Sequence, residues 1–394
     1  MQNSHSERAH ALLSASGSER WLNCTPSARL EDQFGIRTTS KFAEEGTVAH
    51  EYAELCMLRD VLDNITEVSF NVRLEEIMNK ELFNDEMLDE IPKYVDYCSE
   101  QFEAAKAITP DAIIEIERNI DLSEYIPEGK GLCDCNIIAD NVLEVIDLKY
   151  GKGVQVSAVK NKQLMLYGLG ALRYYEMHYD IKIVRLTIVQ PRLNSISSWD
   201  ISVEELLQWA NTELKEKARM AFDGLGDITP GPWCKFCSIK NKCKKLADEN
   251  LKIEKFGQQR PELLNDEEIA EIISRAPLLV EWANSIHEYA LEQALTNNKV
   301  WPGFKLVEGI SRRKWFDEEK AGDMILKRMP AYDENDIFKS KLKSITDIEK
   351  LIGKKKFNES FSDLVIKPQG KPTLVSESDK RPSLSSQAKN DFND

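Results

Sequence analysis

The sequence predicts an α/β protein, with a mixed central sheet flanked by helices and a helical C-terminal region behind it. Three observations carry this. The apolar period changes at about residue 110, from helical three-and-four spacing to short β-branched runs. Those runs are AIIEIERNI (112–120), LCDCNIIAD (132–140) and VLEVIDLK (142–149), bounded by Pro-Glu-Gly and Asp-Asn turn signals. Helical period then returns at roughly 158–177 and 202–222, with one more strand, IVRLTIVQ (183–190), between. The order helix, three strands, helix, strand describes a layered sheet. No internal repeat is found, so a solenoid is excluded.

Taken in order, residues 42–59 (FAEEGTVAHEYAELCMLR) read as a helix with His50 in its interior and Gly46 and Thr47 near its start. A polar, helix-rich stretch follows to about residue 108. The second and third strands can pair as a hairpin through Ala139–Val142. After the helix at 202–222 comes PWCKFCSIKNKC, then a linker at about 250–262. In PLLVEWANSIHEYALEQAL apolar residues fall three and four apart, a further long helix. The last stretch, KPQGKPTLVSESDKRPSLSSQAKNDFND, is rich in Pro, Ser, Lys and Asp and reads as disordered. This divides the chain into residues 1–249, 250–365 and a tail, 366–394.

At 394 residues with 42% hydrophobic content, the chain is long enough for one large domain with an appendage or for two. No apolar run approaches the ~18 residues of a membrane span, and MQNSHSERAH lacks the pattern of a signal peptide. Eight cysteines without an export signal point to a reducing, cytoplasmic setting and to metal ligation rather than disulfides. The net charge is −15, yet its distribution is uneven: residues 145–199 hold eight basic side chains and three acidic ones, and 234–245 hold five lysines and no acid. An acidic chain is basic around its candidate site.

Side chains alternate across a strand. In EVIDLK this sets Asp147 and Lys149 on one face and turns Ile146 and Leu148 to the core. In LCDCNI it sets Asp134 with Asn136, and Cys133 with Cys135 opposite. If the two strands form a hairpin, Asp134 and Asp147 come close; two close carboxylates repel, and a hard divalent cation between them resolves this. His50, on the preceding helix, is a candidate third ligand. Glu115 and Glu117 share a face of the first strand, with Glu117 either next to the metal or simply solvated. Gln163 and Tyr167, four apart, lie on one helix face with Lys160 a turn earlier; for Tyr167 the alternative is plain core packing. Lys152 sits on a Gly-flanked loop, KYGKG, that allows close approach of a phosphate. Cys234, Cys237 and Cys243 are spaced C-x2-C-x5-C, and Cys24, in SERWLNCTPS, stands alone near the N-terminus. Cys56, Cys98, Cys133 and Cys135 read as small buried hydrophobes.

These motifs resemble the PD-(D/E)xK nuclease superfamily, in its RecB-like branch with a four-cysteine iron staple, and within it a phage- and prophage-encoded family. The residues that carry the resemblance are GTVAH ending in His50, GLCD ending in Asp134, VIDLK with Asp147 and Lys149, and a Q-x-x-x-Y formed by Gln163 and Tyr167. Together with the four cysteines at 24, 234, 237 and 243 they cover residues 20–245. The resemblance implies a restriction-endonuclease-like core and hydrolysis of DNA phosphodiesters with Mg2+ or Mn2+ held by His50, Asp134, Asp147 and the Leu148 carbonyl. Glu117 matches the branch's upstream acid. It further implies a [4Fe–4S] cluster on Cys24, Cys234, Cys237 and Cys243, with structural Zn2+ as the alternative. Lys152, Lys160 and Lys162 become candidate DNA contacts. Read from its own residues, GISRRKWFD, with Arg312, Arg313, Lys314 and Trp315, is either a grip on DNA by charge and stacking or an exposed turn between a strand and a helix. Exonuclease action on DNA ends in phage recombination or repair follows by analogy. A single-strand annealing or single-strand-binding protein is the partner this suggests. A structure-selective endonuclease and a catalytically silent, cluster-stabilised DNA-binding subunit are the alternatives.

Overall fold

The computed structural model describes residues 12–35, 41–153, 155–252, 264–309, 313–338, 344–366 and 372–376. It divides into two compact units, Met1–Trp282 and Ala283–Asp394.

The first unit opens with α1 (Ser18–Asn23), α2 (Ser27–Phe34), α3 (Lys41–Asp60), α4 (Glu67–Met78) and α5 (Asp85–Ile108). α3 buries Val48, Ala49, Tyr52, Ala53, Leu55, Cys56 and Met57, a stripe at helical spacing. Three strands follow: β1 (Ile113–Asp121), β2 (Lys130–Ile138) and β3 (Asn141–Leu148). The β2–β3 hairpin turns at Asp140–Asn141, where Asn141 takes the left-handed backbone (φ 70°) that Asn tolerates best among residues with a Cβ. The chain then crosses through α6 (Lys162–Tyr175) to β4 (Ile181–Gln190), which pairs parallel to β3, and returns as β5 (Ser195–Ser202). The sheet order is β1-β2-β3-β4-β5, antiparallel except at β3/β4. α7 (Val203–Trp209), α8 (Lys215–Asp223) and α9 (Lys244–Leu251) complete this part of the unit.

Both sheet faces are covered. Leu143 and Val145 of β3 face one core with α6, while Ile146 and Leu148 face a second core built by α3 and α5. The mixed α/β sandwich expected from the sequence is the fold observed. One strand, β5, was not anticipated. Its sequence SISSWDIS is polar on one side because it pairs only with β4 and lies at the sheet edge, where alternate residues meet water. α6 approaches the sheet closely: a Cβ on Gly170 would lie 2.0 Å from Ile120 Cγ2.

α10 (Asp266–Thr296) is the long helix expected from PLLVEWANSIHEYALEQAL, and the boundary between the two units falls within it. The second unit holds β6 (Phe304–Glu308), β7 (Lys314–Trp315), α11 (Glu318–Arg328), α12 (Glu334–Ile337), α13 (Ile345–Ile352), α14 (Lys354–Phe361), β8 (Val365–Ile366) and β9 (Pro372–Ser376). Its core gathers Trp315, Ile325, Ile337, Ile348, Phe357 and Phe361. Trp315 therefore does not stack on a ligand base. It is 7% exposed and packs on Phe357, while Arg313 donates to Glu349 at 2.7 Å. Arg312 lies outside the described residues. β9, in the segment read from composition as a disordered tail, pairs antiparallel with β6; residues 377–394 lie outside the described residues. The linker at 253–263 does too. No described helix is long and apolar enough to cross a membrane.

Candidate active site and metal centre

The site forms where the pleat of the sheet is interrupted. β1 and β2 pair from Ile113↔Ile138 to Asp121↔Lys130 with one gap, at Glu117 opposite Asp134. Glu117 has a φ of 49°, a backbone that costs a side-chain-bearing residue about 1–3 kcal/mol. On either side of it the strands exchange faces. Ile114 and Ile116 pack toward the α3/α5 core, but Ile120 packs toward the α6 core; Cys135 belongs to the first and Cys133 to the second. Strict alternation would put both cysteines on one face, and this interruption is why they are not. It also frees Glu117 and Asp134 from the ladder.

The gap coincides with a split between β2 and β3. These strands pair only from Cys135↔Ile146 to Ile138↔Leu143. One step further the register would oppose Asp134 and Asp147. Instead the strands part, and the Leu148 N–H donates to Asp134 Oδ2 at 2.8 Å.

Across this opening α3 delivers His50. Its Nδ1 lies 3.3 Å from Asp134 Oδ1 and 4.0 Å from Glu117 Oε1. His50, Glu117 and Asp134 offer ligand atoms all within 4.8 Å of one another, the one such His/Cys/Asp/Glu group among the described residues. Glu117 thus stands beside Asp134 as a full member of the group. Asp147 stands next to it, engaged elsewhere: Oδ2 is 2.5 Å from Lys149 Nζ, and Oδ1 accepts from Gln163 Nε2 at 3.1 Å. Lys149 donates in turn to Gln163 Oε1 at 3.2 Å, and Gln163 Nε2 also reaches the Tyr167 hydroxyl at 3.1 Å. Asn161 caps α6 by accepting from Leu164 N at 3.2 Å, which sets the angle at which Gln163 enters the site. Gly131 lets β2 pass beneath Tyr167, since a Cβ there would come to 2.7 Å from the ring.

The charges hold one another. Burial lowers the pKa of His50, but Asp134, Glu117 and Asp147 outweigh it and push it up to about 9. Burial raises Asp134, yet His50, Lys149 and the Leu148 N–H bring it below its usual value. Asp147 goes the other way: burial and the Asp134 charge prevail over Lys149 and raise it. Lys149, which burial alone would lower, is raised by Asp147 and Asp134. Two carboxylates of opposite shift beside an imidazole and an ammonium make a site tuned for charge.

The remaining candidates are dispersed. Lys152 is 2.5 Å from Glu86 Oε1, and Lys162 Nζ lies 4.8 Å from the centre of the Trp209 ring. Lys160 occupies a positive-φ turn (53°) just before α6. None of the eight cysteines forms a disulfide. Cys56, Cys98, Cys133 and Cys135 are buried, and Cys133 Sγ donates to Asn136 Oδ1 at 3.0 Å. Cys24, Cys234, Cys237 and Cys243 line one pocket with Trp233, Ile239 and Leu246. Arg20 ties the pocket's walls together, bonding Glu31 at 2.7 Å and the Phe236 carbonyl at 3.1 Å, while Glu31 accepts from Ser238 N at 2.7 Å. Burial pushes the Cys237 thiol up to about 12. Sequence reasoning missed Arg192, Glu45 and Glu86. Arg192 appeared only as one base in a basic stretch, and nothing local set it apart.

The fold and site together define an α/β protein whose sheet carries a His–Glu–Asp group beside an Asp–Lys–Gln relay. The chain belongs to the family DUF2800, described as a protein of unknown function, which it matches over residues 10–382. The chain is similar to the crystal structure of SSO0001, at 12% identity over 56% of this chain and 95% of that one, with a TM-score of 0.23. It is also similar to a protein of Eubacterium rectale provisionally named an exonuclease, at 12% identity over 63% of this chain and 93% of that one, with a TM-score of 0.33. At this level of likeness neither bears on what this chain does.

Proposed function

We propose that this chain is a metal-dependent deoxyribonuclease of the RecB-like PD-(D/E)xK kind, acting as an exonuclease on DNA ends in phage recombination or repair inside a bacterial host. The observation that carries it is the convergence of His50, Glu117 and Asp134 to within 4.8 Å, beside the Asp147–Lys149–Gln163 relay, where β2 parts from β3. Two carboxylates and an imidazole suit Mg2+ or Mn2+, the imidazole making Mn2+ acceptable as well as Mg2+. Asp147, on giving up Lys149 or Gln163, and the Leu148 carbonyl are the further ligands of this reading. Bound there, such a cation supplies Lewis acidity toward a phosphate oxygen and acidifies water. Lys149, held by Asp147 and Gln163, presents positive charge to the scissile phosphate as negative charge builds on it. Gln163 keeps Lys149 and Asp147 in register, and Tyr167 holds Gln163. Water attacks phosphorus, the P–O bond to the leaving strand breaks, and no covalent intermediate forms.

The four-cysteine pocket is assigned to a [4Fe–4S] cluster that joins the N-terminal helices to the segment after α8, with Zn2+ as the alternative. The one-plus-three layout of these cysteines, with no second C-x2-C knuckle, supports the cluster over zinc. A single-strand annealing or single-strand-binding protein is the partner this reading calls for.

The test is digestion of end-labelled linear and closed circular DNA with Mg2+ or Mn2+, by anaerobically purified protein and by Asp147→Ala. Loss of linear DNA alone, abolished in the variant, is expected. Cutting of circles would replace the exonuclease by an endonuclease. No digestion by folded, metal-loaded protein would leave a DNA-binding subunit.

A further inference from the structure

Beside the catalytic strand lies a second charged constellation that the reaction above does not use. Lys152, in the loop leaving β3, and Arg192, in the short turn after β4, both engage Glu86 in the first turn of α5. Lys152 Nζ is 2.5 Å from Glu86 Oε1, and Arg192 Nη2 donates to Glu86 Oε2 at 2.7 Å. The three are set at different depths: the Arg192 side chain is 10% exposed, Glu86 36% and Lys152 52%. Arg192 does not depend on Glu86 for its place. Its Nη1 donates to Glu45 Oε1 at 3.2 Å and to the Tyr150 carbonyl at 3.4 Å, and its guanidinium lies 4.5 Å from the centre of the Tyr150 ring. Glu45 is steadied by Asn84 Nδ2 at 3.1 Å.

The Arg192 Nε is buried and has no hydrogen-bond partner. A guanidinium presents Nε and Nη2 as a parallel pair along one edge, suited to two oxygens of one anion. Glu86 gives that edge a single oxygen, because its other oxygen is on Lys152. Three donors thus converge on a flat group with two acceptor atoms, and one donor goes without. A tetrahedral phosphate, with oxygens outside a single plane, can serve all three. Glu86 is able to leave: it is partly in water, and ion pairs of that exposure are weak. Glu45 stays behind to balance Arg192, so exchanging one carboxylate for one phosphodiester leaves the local charge nearly unchanged.

The geometry points to Lys152 and Arg192 as a seat for a DNA backbone phosphate, occupied in the free protein by the Glu86 carboxylate, which the phosphate displaces. The seat adjoins Lys149 through three residues of chain, so it positions the strand relative to the catalytic lysine. Only the identity of the ligand as DNA rests on the nuclease reading; the seat itself rests on the Nε, Nη2 and Nζ donors.

The experiment measures binding of the full chain to a fluorescent oligonucleotide, single-stranded and duplex, by anisotropy with Ca2+ in place of Mg2+. Glu86→Gln is expected to tighten binding about 3–10-fold and Lys152→Ala to weaken it by a similar factor, as for loss of one phosphate contact. In the Lys152→Ala background, Glu86→Gln should tighten binding by a smaller factor than in the wild type, because only Arg192 then remains to hold the phosphate. Inorganic phosphate should compete more weakly with the Lys152→Ala protein than with the wild type. The proposal is overturned if wild-type protein does not bind DNA, if Glu86→Gln binds no tighter, or if its gain is undiminished without Lys152. Should Glu86→Gln fail to fold, Lys152→Ala, on an exposed loop, decides alone: an unchanged affinity sinks the seat. Cleavage with Mg2+ or Mn2+ is read separately, and DNA bound through the seat but never cut would remove the nuclease reading while leaving the seat standing.

Discussion

The carboxylate site and the cysteine pocket both join residues far apart in sequence, but they do so by different means. At the carboxylate site the backbone does the gathering. A left-handed Glu117 interrupts the β1–β2 ladder, β2 parts from β3, and the freed acids meet an imidazole that their own charge keeps protonated. At the cysteine pocket side-chain tethers join the walls, chiefly Arg20 to Glu31 and Glu31 to Ser238. The first brings its ligand atoms within 4.8 Å of one another; the second brings four cysteines to the lining of one pocket. A site that must accept a cation repeatedly gains from the first arrangement. A site that is filled once, while the fold is being closed, can use the second.

The largest expected effect breaks the first site and spares the second. Asp134→Ala removes one of the three converging ligands and the acceptor of the Leu148 N–H. Cleavage should fall by about a thousandfold or more, on the order of losing a main electrostatic contributor to a transition state. Iron or zinc content of the purified protein should not change. If both fall together, the two sites are not independent.

The converse comes next. Cys24→Ala, at a residue 6% exposed, should abolish bound iron or zinc and lower stability by about 2–5 kcal/mol, comparable to losing a native cross-link. Thermal melting and metal analysis check it. Protein that keeps its full iron content would exclude Cys24 as a ligand.

How much of this contrast was legible beforehand depends on the range of the signal. Alternation within β3 and i, i+4 spacing on α6 are local, so Asp147, Lys149, Gln163 and Tyr167 could be placed together from a few neighbouring letters. The hairpin through Asp140–Asn141 extended that to Asp134. What escaped was whatever depends on a departure from alternation or on contacts between distant segments. Nothing in EIERNI announces that Glu117 will adopt a φ of 49°, and without that kink Cys133 and Cys135 belong on one face. Arg192 meets Glu45 and Glu86 only after α3, α5 and β4 have packed, and no spacing rule spans such separations. β5 was missed for a simpler reason: an edge strand with one wet face looks like a loop.

Proton linkage sharpens the comparison with a smaller effect. The His50 pKa is raised from 6.5 to about 9 by Asp134, Glu117 and Asp147 acting against burial. A raised pKa stabilises the metal-free fold fully below pH 6.5, and the gain is lost as pH climbs through about 9. In EDTA, wild-type protein should lose on the order of 1–3 kcal/mol across this window relative to His50→Gln, which has no proton to lose. Parallel stability curves for the two proteins would show that the acids do not hold His50 charged. Burial pushes the Cys24, Cys234 and Cys237 thiols upward, so their own contribution to the slope begins only where unfolded thiols ionise, at about pH 8.5 and above.

The smallest effect probes the tethers. Arg20 and Glu31 are 22% and 14% exposed and meet at 2.7 Å, so Arg20→Ala should cost about 1–2 kcal/mol, more than a fully solvated pair and less than a buried one. Part of that cost falls on the Phe236 carbonyl, which loses its donor. If tethers rather than backbone shape gather the thiols, the variant should take up iron more slowly during anaerobic reconstitution, while its Mn2+ affinity at His50, Glu117 and Asp134 stays that of the wild type. Equal slowing at both sites would mean that Arg20 supports the whole unit, and the distinction between a site shaped by its strands and a site held by its tethers would fall.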